Sequence, residues 1–293
     1  MKNNQNIAII DIGSNSVRER ISCNGKVFLR RVITTQLAKN AQNGCLNEAS
    51  VLRTFEGLDL LFSLAREHKA KVFAFATAAV RNAKNKEDFI SKFNSKYGEK
   101  LDVLSGENEG KMGVLGALKG KSGCIIDVGG ASSEVVCSFN EKVIYAHSMQ
   151  VGAVSLTDKC GKDFSLAYEF LTKQIEKEFD KIPKEIGEVY GIGGSANSVA
   201  FIKSGLKSYN REATNGIVVD NNYLFELAKK FYLMDSKQIS AEFLIDNLRS
   251  NVIHSGTLIL ACLLNKLCVT KIILTEDDNL EGYYLWLEQN GKI

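Results

Sequence analysis

The sequence predicts an α/β protein made of two similar halves, and three observations support this prediction. Apolar strand-like runs alternate with amphipathic helical segments along the chain. The segment IAIIDIGSNS, which contains Asp11, is similar to GCIIDVGGASSE, which contains Asp127, and the two aspartates lie 127 − 11 = 116 residues apart. The length of 293 residues suits about two domains. We therefore expect one domain over residues 1–118 and a second over 119–293.

The first half begins with strand-like segments and continues with helices between strands. Ile7 to Ile10 is a continuous apolar run, and Val27 to Ile33 alternates as a strand does. Apolar residues at helical spacing predict a helix over Glu48 to His68. The apolar run Val72 to Val80 predicts a buried strand leading into a turn, and Lys86 to Tyr97 predicts another amphipathic helix.

The second half alternates in the same way. Strands are predicted over Glu141 to Val151, Val189 to Ile192 and Lys271 to Thr275. Helices are predicted over Ser165 to Phe179, Tyr223 to Tyr232, Gly256 to Leu267 and Leu280 to Gln289. The sequence leaves open whether the last of these, at about 280–289, packs back on the first domain.

Charge and hydropathy exclude several kinds of partner. The chain has 37 Lys and Arg against 34 Asp and Glu, a net charge of +3, and the two signs are interleaved. This balance predicts no nucleic acid partner, whereas a small anionic substrate needs only a few cations in a cleft. No signal peptide is visible, and no apolar stretch reaches the roughly 18 residues needed to cross a bilayer. The sequence therefore predicts a cytoplasmic protein without a membrane partner.

The cysteines and histidines give no sign of a metal site. The seven cysteines include no C-x-x-C pair, and most lie among aliphatic residues. They are expected to be reduced and mostly buried thiols. The three histidines are scattered, which argues against a structural zinc.

Three small-residue loops each follow an apolar run. Two of them follow Asp11 and Asp127, and the third lies in VYGIGGSANSVA, which starts at Val189. Such a loop can turn its backbone N–H groups towards an anion, although one loop alone more often serves only as a tight turn. Three together predict a phosphate cleft closed between two similar domains, with Asp11 and Asp127 facing each other.

Six motifs carry a family resemblance and occur in the family's order. They are DIGSNSVR, ATAAVRNAKN, SGENEG, DVGGASSE, VGAVSLTD and GIGGSANS. Together they resemble the exopolyphosphatase and guanosine pentaphosphate phosphatase (Ppx/GppA) family, over about Ile7 to Gly282. The resemblance implies two actin-like, ribonuclease-H-like (ASKHA) domains with a phosphate-binding cleft between them. It implies the short two-domain form, because longer members carry an additional C-terminal helical domain.

The resemblance also implies an activity and a set of catalytic residues. The activity is hydrolysis of terminal phosphoanhydride bonds in inorganic polyphosphate, or removal of the 5′-terminal phosphate of guanosine pentaphosphate. Glu109 matches the proposed base that deprotonates the attacking water. Asp127 and Glu134 match positions implicated in catalysis and in binding Mg²⁺ or another divalent cation, with Asp11 as a further metal candidate. Arg81, and with less support Arg18, would hold phosphate oxygens.

The loops would bind phosphate through backbone N–H groups and hydroxyls. Besides Asp11 and Arg18, the candidates are Gly13, Ser14, Asn15, Ser16, Gly129, Gly130, Ala131, Ser132, Gly193, Gly194 and Ser195. Each has a purely structural alternative. Glu109 alone would be read as a surface glutamate in a loop, Asp127 as a turn residue and Glu134 as an exposed strand residue.

The sequence departs from the family's pattern at several positions. These are Glu19 and Arg20, where apolar residues are usual, and also Gln36, Ala38, Ala131, Asn251 and Leu280. At Ala131 the family usually has glycine, so a left-handed backbone there would cost about 1 kcal/mol or more. The departures keep open a non-catalytic sensor of polyphosphate or guanosine alarmones. The implied architecture by itself also permits an ATP-using kinase of the same fold. Homodimerisation is an expectation from the family alone.

Overall fold

The chain forms two compact units in a computed structural model that describes residues 5–39, 41, 43–140 and 142–293. The first unit comprises Met1–Glu109 with Tyr283–Ile293, and the second comprises Gly110–Gly282. The domain boundary near Leu118 stays a prediction.

The first unit contains a five-stranded sheet with the order β3-β2-β1-β4-β5. Its strands are β1 (Asn6–Ile12), β2 (Ser16–Cys23), β3 (Lys26–Thr34), β4 (Lys71–Ala76) and β5 (Leu101–Val103). The first three form an antiparallel meander, and β4 and β5 continue the sheet in parallel with β1. The helices along this part of the chain are α1 (Glu48–Glu67), α2 (Ala78–Arg81), α3 (Lys86–Tyr97) and α4 (Gly106–Leu118).

The second unit contains a six-stranded sheet with the order β10-β11-β9-β6-β7-β8. Its strands are β6 (Gly123–Val128), β7 (Ser133–Phe139), β8 (Lys142–Met149), β9 (Glu188–Ile192), β10 (Ile217–Asp220) and β11 (Lys271–Leu274). Here β6, β7 and β8 form the antiparallel meander, β9 and β11 are the parallel strands, and β10 is an additional antiparallel edge. The two halves therefore repeat one topology, which confirms the two-fold α/β repeat predicted from the sequence.

Nine further helices complete the described part of the chain. They are α5 (Ala153–Cys160), α6 (Phe164–Glu178), α7 (Gly193–Ser204), α8 (Arg211–Thr214), α9 (Asn221–Leu233), α10 (Ser236–Phe243), α11 (Asn247–Ser250), α12 (Ile253–Lys266) and α13 (Asn279–Gln289). Among the described residues, no helix is both long enough and apolar enough to cross a membrane.

Helix α1 shows how local sequence determines an element of the first unit. The Asn47 side chain accepts hydrogen bonds from the backbone N–H groups of Ala49 and Ser50 and so caps the helix start. The buried face of the helix includes Phe55 and Leu58, which pack into the core that also contains the inner residues of β1 and β2. The predicted helix over Glu48 to His68 is thus confirmed almost residue for residue.

Helix α4 was not predicted, and its glycines explain why. It carries Gly110, Gly113 and Gly116 at every third position, and glycine disfavours helix by about 1 kcal/mol per residue. A Cβ at Gly110 would lie 2.5 Å from Val136 Cγ2, and one at Gly113 would lie 2.5 Å from Ile125 Cδ1. The glycines therefore let this helix pack its backbone directly against the second sheet.

Two other features differ from the sequence predictions. The strand predicted over Val72 to Val80 ends at Ala76, and the small residues that follow form the short helix α2.

Cys124 and Cys137 are joined by a disulfide, whereas all seven cysteines were expected to be reduced. The two cysteines lie directly opposite each other on β6 and β7, and this register is not visible from their separation of 13 residues. Glu141, where a strand was predicted to begin, lies outside the described residues.

The last helix contributes contacts to the first unit. Tyr283 Oη donates a hydrogen bond of 2.6 Å to Asp102 Oδ2, and its ring lies 4.6 Å from that of Phe75. The Arg20 guanidinium stacks over the Tyr284 ring at 4.3 Å. Arg20 therefore has an aromatic partner at a position where the family usually has an apolar residue.

Candidate active site

The loops after β1 and β6 form the same turn. In the first, Gly13 N donates to Ser16 O at 3.0 Å, and in the second Gly129 N donates to Ser132 O at 3.0 Å. The donors Gly13 and Gly129 lie 129 − 13 = 116 residues apart in the chain. The same offset separates Asp11 from Asp127. The repeat therefore includes the backbone hydrogen bonding of the loops as well as their sequence.

Each of these loops is braced from one side by backbone donors. Ala153 N at the start of α5 donates to Gly129 O at 2.9 Å, and a Cβ on Gly152 would lie 2.5 Å from the carbonyl carbon of Gly130. At the first loop, Gln36 N and Ala38 N donate to Asn15 O and Ser14 O, each at 2.9 Å. The departures at 36 and 38 therefore keep the backbone contacts that hold the first loop.

Ala131 does not adopt the backbone conformation that would penalise it. Positive φ angles occur at nine non-glycine residues of the described chain, and Ala131 is not among them. The strain expected for a Cβ at this position does not arise. The departure at Leu280 is also accommodated, because Leu280 is buried on α13.

Glu109 and Arg81 form a buried ion pair in the first unit. Arg81 Nη1 donates 2.6 Å to Glu109 Oε2 and 3.0 Å to Leu104 O, and Glu109 is only 6% exposed. Burial raises the pKa of Glu109 above its usual value, and the Asp11 carboxylate adds to the rise, while Arg81 and Thr77 oppose it. The helical, buried setting of Glu109 excludes the alternative of a surface glutamate in a loop.

Asp11 and Arg18 form a second ion pair in the same unit. They lie opposite each other on β1 and β2, and Arg18 Nε donates to Asp11 Oδ2 at 2.9 Å. Asp11 is buried, and its charge acts on Glu109. The first unit thus gathers two acids and two arginines of the predicted site beside the first loop.

Asp127 and Glu134 form an acidic pair across two strands of the second unit. They lie directly opposite each other on β6 and β7, so the hairpin brings both carboxylates to one face. Glu134 Oε1 accepts a hydrogen bond of 2.7 Å from Ser148 Oγ on β8. Both acids are buried, which excludes the alternative of an exposed strand residue for Glu134.

The third loop opens helix α7 beside Asp127. Gly193 has φ +86°, and a Cβ there would lie 2.6 Å from Asp127 Oδ1, so glycine is required for both conformation and space. A Cβ on Gly194 would lie 2.0 Å from Arg249 Nη1, which places the guanidinium over the first turn of the helix. Helix N-termini attract anions, and a cation at this end strengthens the attraction.

Ser195 is directed away from this helix end. Its hydroxyl packs against Gly256 on α12, where a Cβ would lie 2.0 Å from Ser195 Oγ. The Ser195 hydroxyl is therefore not placed to contact phosphate as predicted, and only the Ser195 backbone N–H could do so.

The structure groups the predicted residues into two sets. The set in the first unit contains Asp11, Gly13, Ser14, Asn15, Ser16, Arg18, Arg81 and Glu109. The set in the second unit contains Asp127, Gly129, Gly130, Ala131, Ser132, Glu134, Gly193, Gly194 and Ser195. Sequence reasoning assigned no role to Thr77, Ser148, Arg249 or Asn279. Two of them had a usable signal, because Thr77 lies in the ATAAVRNAKN motif and Ser148 lies on a strand predicted to follow the second loop.

The strand order and the paired aspartate loops define a two-domain actin-like α/β protein. A model of the Ppx/GppA phosphatase family matches residues 22–288. The chain belongs to this family, which confirms the resemblance read from its motifs. A solved structure of the Aquifex aeolicus member of the Ppx/GppA family has a TM-score of 0.79 and 27% identity, and the match covers 99% of each chain.

Two curated relatives are considerably longer than the chain. A bifunctional 3-dehydroquinate synthase/phosphatase of Fusobacterium nucleatum is 24% identical over 97% of this chain and 47% of its own length. A guanosine-5′-triphosphate,3′-diphosphate pyrophosphatase of Photobacterium profundum is 31% identical over 55% of this chain and 35% of its own length. The chain therefore spans about half of the first relative, and its match covers about a third of the second.

Proposed function

We propose that the protein is a phosphohydrolase that removes terminal phosphate from inorganic polyphosphate or the 5′-terminal phosphate from guanosine pentaphosphate. The family and the pyrophosphatase relative support this class of reaction. The observation that carries the proposal is the buried Glu109, whose pKa is raised and whose carboxylate is oriented by Arg81.

Glu109 is suited to act as the general base. Burial raises its pKa above the usual carboxyl value, which makes it a stronger base, and Arg81 holds one of its oxygens in place. In the proposed step a water oxygen bonds to the terminal phosphorus while its proton passes to Glu109. The bridging P–O bond breaks, and its electron pair leaves on the shortened phosphate chain.

The second unit offers groups that would hold the polyanion. Helix α7 begins at Gly193 and Gly194, where the first backbone N–H groups of a helix have no partner within the helix, and Arg249 adds a guanidinium there. In the loop from Gly129 to Ser132 the Gly129 N–H already donates to Ser132 O, so further backbone donors would come from Gly130 and Ala131. These groups would offset the negative charge of the substrate. Glu109 would then serve as the base, and Asp127 and Glu134 would hold the cation.

Asp127 and Glu134 are the residues that would hold Mg²⁺. Within the part of the chain that the structure describes, no cluster of three or more His, Cys, Asp or Glu side chains is arranged for a metal. Mg²⁺ commonly takes only one or two carboxylates and completes its shell with water and substrate phosphates. The cross-strand pair fits that pattern, and the bound cation would neutralise charge on the phosphates. The role of Asp11 as a further metal ligand stays a prediction. The cytoplasmic location and homodimerisation also stay predictions.

The proposed function is tested by phosphate release from purified protein with Mg²⁺. Long-chain polyphosphate and guanosine pentaphosphate are offered in parallel, and Glu109→Gln is compared with Glu107→Gln. Glu107 is an exposed acid in the same first turn of α4, so it is a matched control. We expect Glu109→Gln to lose about 100-fold or more in kcat and the control to lose little. Equal turnover in both variants would remove the base assignment, and absence of release by folded wild-type protein would refute the hydrolase.

A further inference from the structure

Asn279 contacts Asp127 from a segment 152 residues away in the chain. Asn279 Nδ2 donates to Asp127 Oδ2 at 3.0 Å, and both residues are buried. Asn279 is the first residue of α13, and it follows directly on the loop after β11. No motif in the sequence pointed to this residue.

The contact distinguishes the two oxygens of the Asp127 carboxylate. Oδ2 accepts the amide hydrogen, whereas Oδ1 lies against Gly193 at the start of α7. An amide N–H is complementary to an ionised carboxylate and restricts its rotation. Asn279 therefore fixes which Asp127 oxygen is directed towards the third loop.

The loop that presents Asn279 is itself held by side-chain hydrogen bonds. Asn215 Oδ1 accepts from Thr275 Oγ1 at 2.8 Å and from Glu276 N at 3.0 Å. Glu276 Oε1 in turn accepts a hydrogen bond of 2.5 Å from Thr214 Oγ1. The backbone before Asn279 is thereby anchored to the segment that follows α8.

Charged partners anchor the next residue of this loop. Asp277 accepts from Lys119 Nζ at 2.6 Å and from Arg211 at 2.5 Å, and these cations lower its pKa against the effect of burial. Asp278 Oδ1 accepts from Leu280 N at 3.0 Å, which fixes the start of α13. A rigid support of this kind is what a residue needs if it is to orient a neighbour.

We propose that Asn279 is a positioning residue that orients the Asp127 carboxylate for the cation and the terminal phosphate. The proposal rests on the proposed function, because it assumes that Asp127 holds the cation. It adds a residue that contacts neither substrate nor metal and acts only through Asp127.

The test compares Asn279→Leu with Asn94→Leu. Leucine has the same branched arrangement of four side-chain heavy atoms as asparagine and lacks the amide donor. Asn94 Oδ1 accepts from Leu101 N at 3.0 Å in the first unit, so its loss removes a comparable hydrogen bond and leaves Asp127 untouched. Binding of Mn²⁺ alone is followed by electron paramagnetic resonance of the free ion, because Mn²⁺ also prefers oxygen ligands. Phosphate release with Mg²⁺ gives kcat and KM separately.

For Asn279→Leu we expect about ten-fold weaker Mn²⁺ binding and about ten-fold lower kcat, with KM within about three-fold of wild type. Asn94→Leu should keep wild-type Mn²⁺ affinity and kcat. Equal Mn²⁺ affinity and equal kcat in the two variants would overturn the role of Asn279, and so would a wild-type protein that binds no Mn²⁺. If wild type binds Mn²⁺ but releases no phosphate, the hydrolase fails and the Mn²⁺ comparison still decides the role of Asn279.

Discussion

Glu19 is a fully buried carboxyl on β2 that is expected to make the stability of the protein depend on pH. It lies on the same face of the strand as the core residues Val17 and Ile21, and neither of its oxygens has a hydrogen-bond partner among the described residues. Burial raises its pKa from 4.5 to about 8. The family usually has an apolar residue at this position. This protein instead has a carboxyl group in a core that favours its neutral form.

The sign and size of the effect follow from the two pKa values. Below pH 4.5 Glu19 is protonated in both states, so its contribution to stability is fully present. As the pH rises towards 8 the unfolded chain ionises first, and the free energy of unfolding falls by about 1.4 kcal/mol per pH unit. The total loss over 3.5 units is at most about 5 kcal/mol, and it is complete above the native pKa of about 8.

The assay is urea unfolding at pH 5.5 and pH 7.5 for wild type and Glu19→Gln. Glutamine is close in size and uncharged, so the stability of the variant relative to wild type should increase by about 3 kcal/mol between these two pH values. Glu56→Gln, an exposed position on α1, is the control and should show no such increase. An increase below about 1 kcal/mol for Glu19→Gln would refute the reasoning.

Two further predictions concern the third loop and the disulfide. Gly194→Ala would place a methyl group where Arg249 Nη1 now lies, so we expect KM for the phosphate substrate to rise about ten-fold while the folded structure persists, as judged by circular dichroism. Arg249→Lys should change KM in the same direction, and an unchanged KM in both variants would contradict a phosphate role for this cation. Thiol titration in denaturant should find 7 − 2 = 5 reactive cysteines before reduction and seven after it. Seven thiols before reduction would show that Cys124 and Cys137 are not bonded.

Local sequence determined much of the fold and the outline of the site. The Asp11 and Asp127 loops could be identified because a strand, an acid and a small-residue turn are adjacent in the chain, and the structure gives both the same turn. The amphipathic period likewise located α1, which begins at Glu48 as predicted. Helix α4 was missed because its glycines disfavour helix locally and are favourable only against the sheet it contacts.

Tertiary structure alone decided which distant residues meet. The Cys124–Cys137 bond depends on strand register, and Arg249 reaches Gly194 only because α11 folds back on the start of α7. Asn279 meets Asp127 across 152 residues through a loop fixed by Asn215 and Arg211. The sequence by itself determined the two small-residue turns and the position of the aspartate before each, since these features depend on neighbouring residues. The partners that orient those acids come from packing between segments far apart in the chain, which no local pattern encodes.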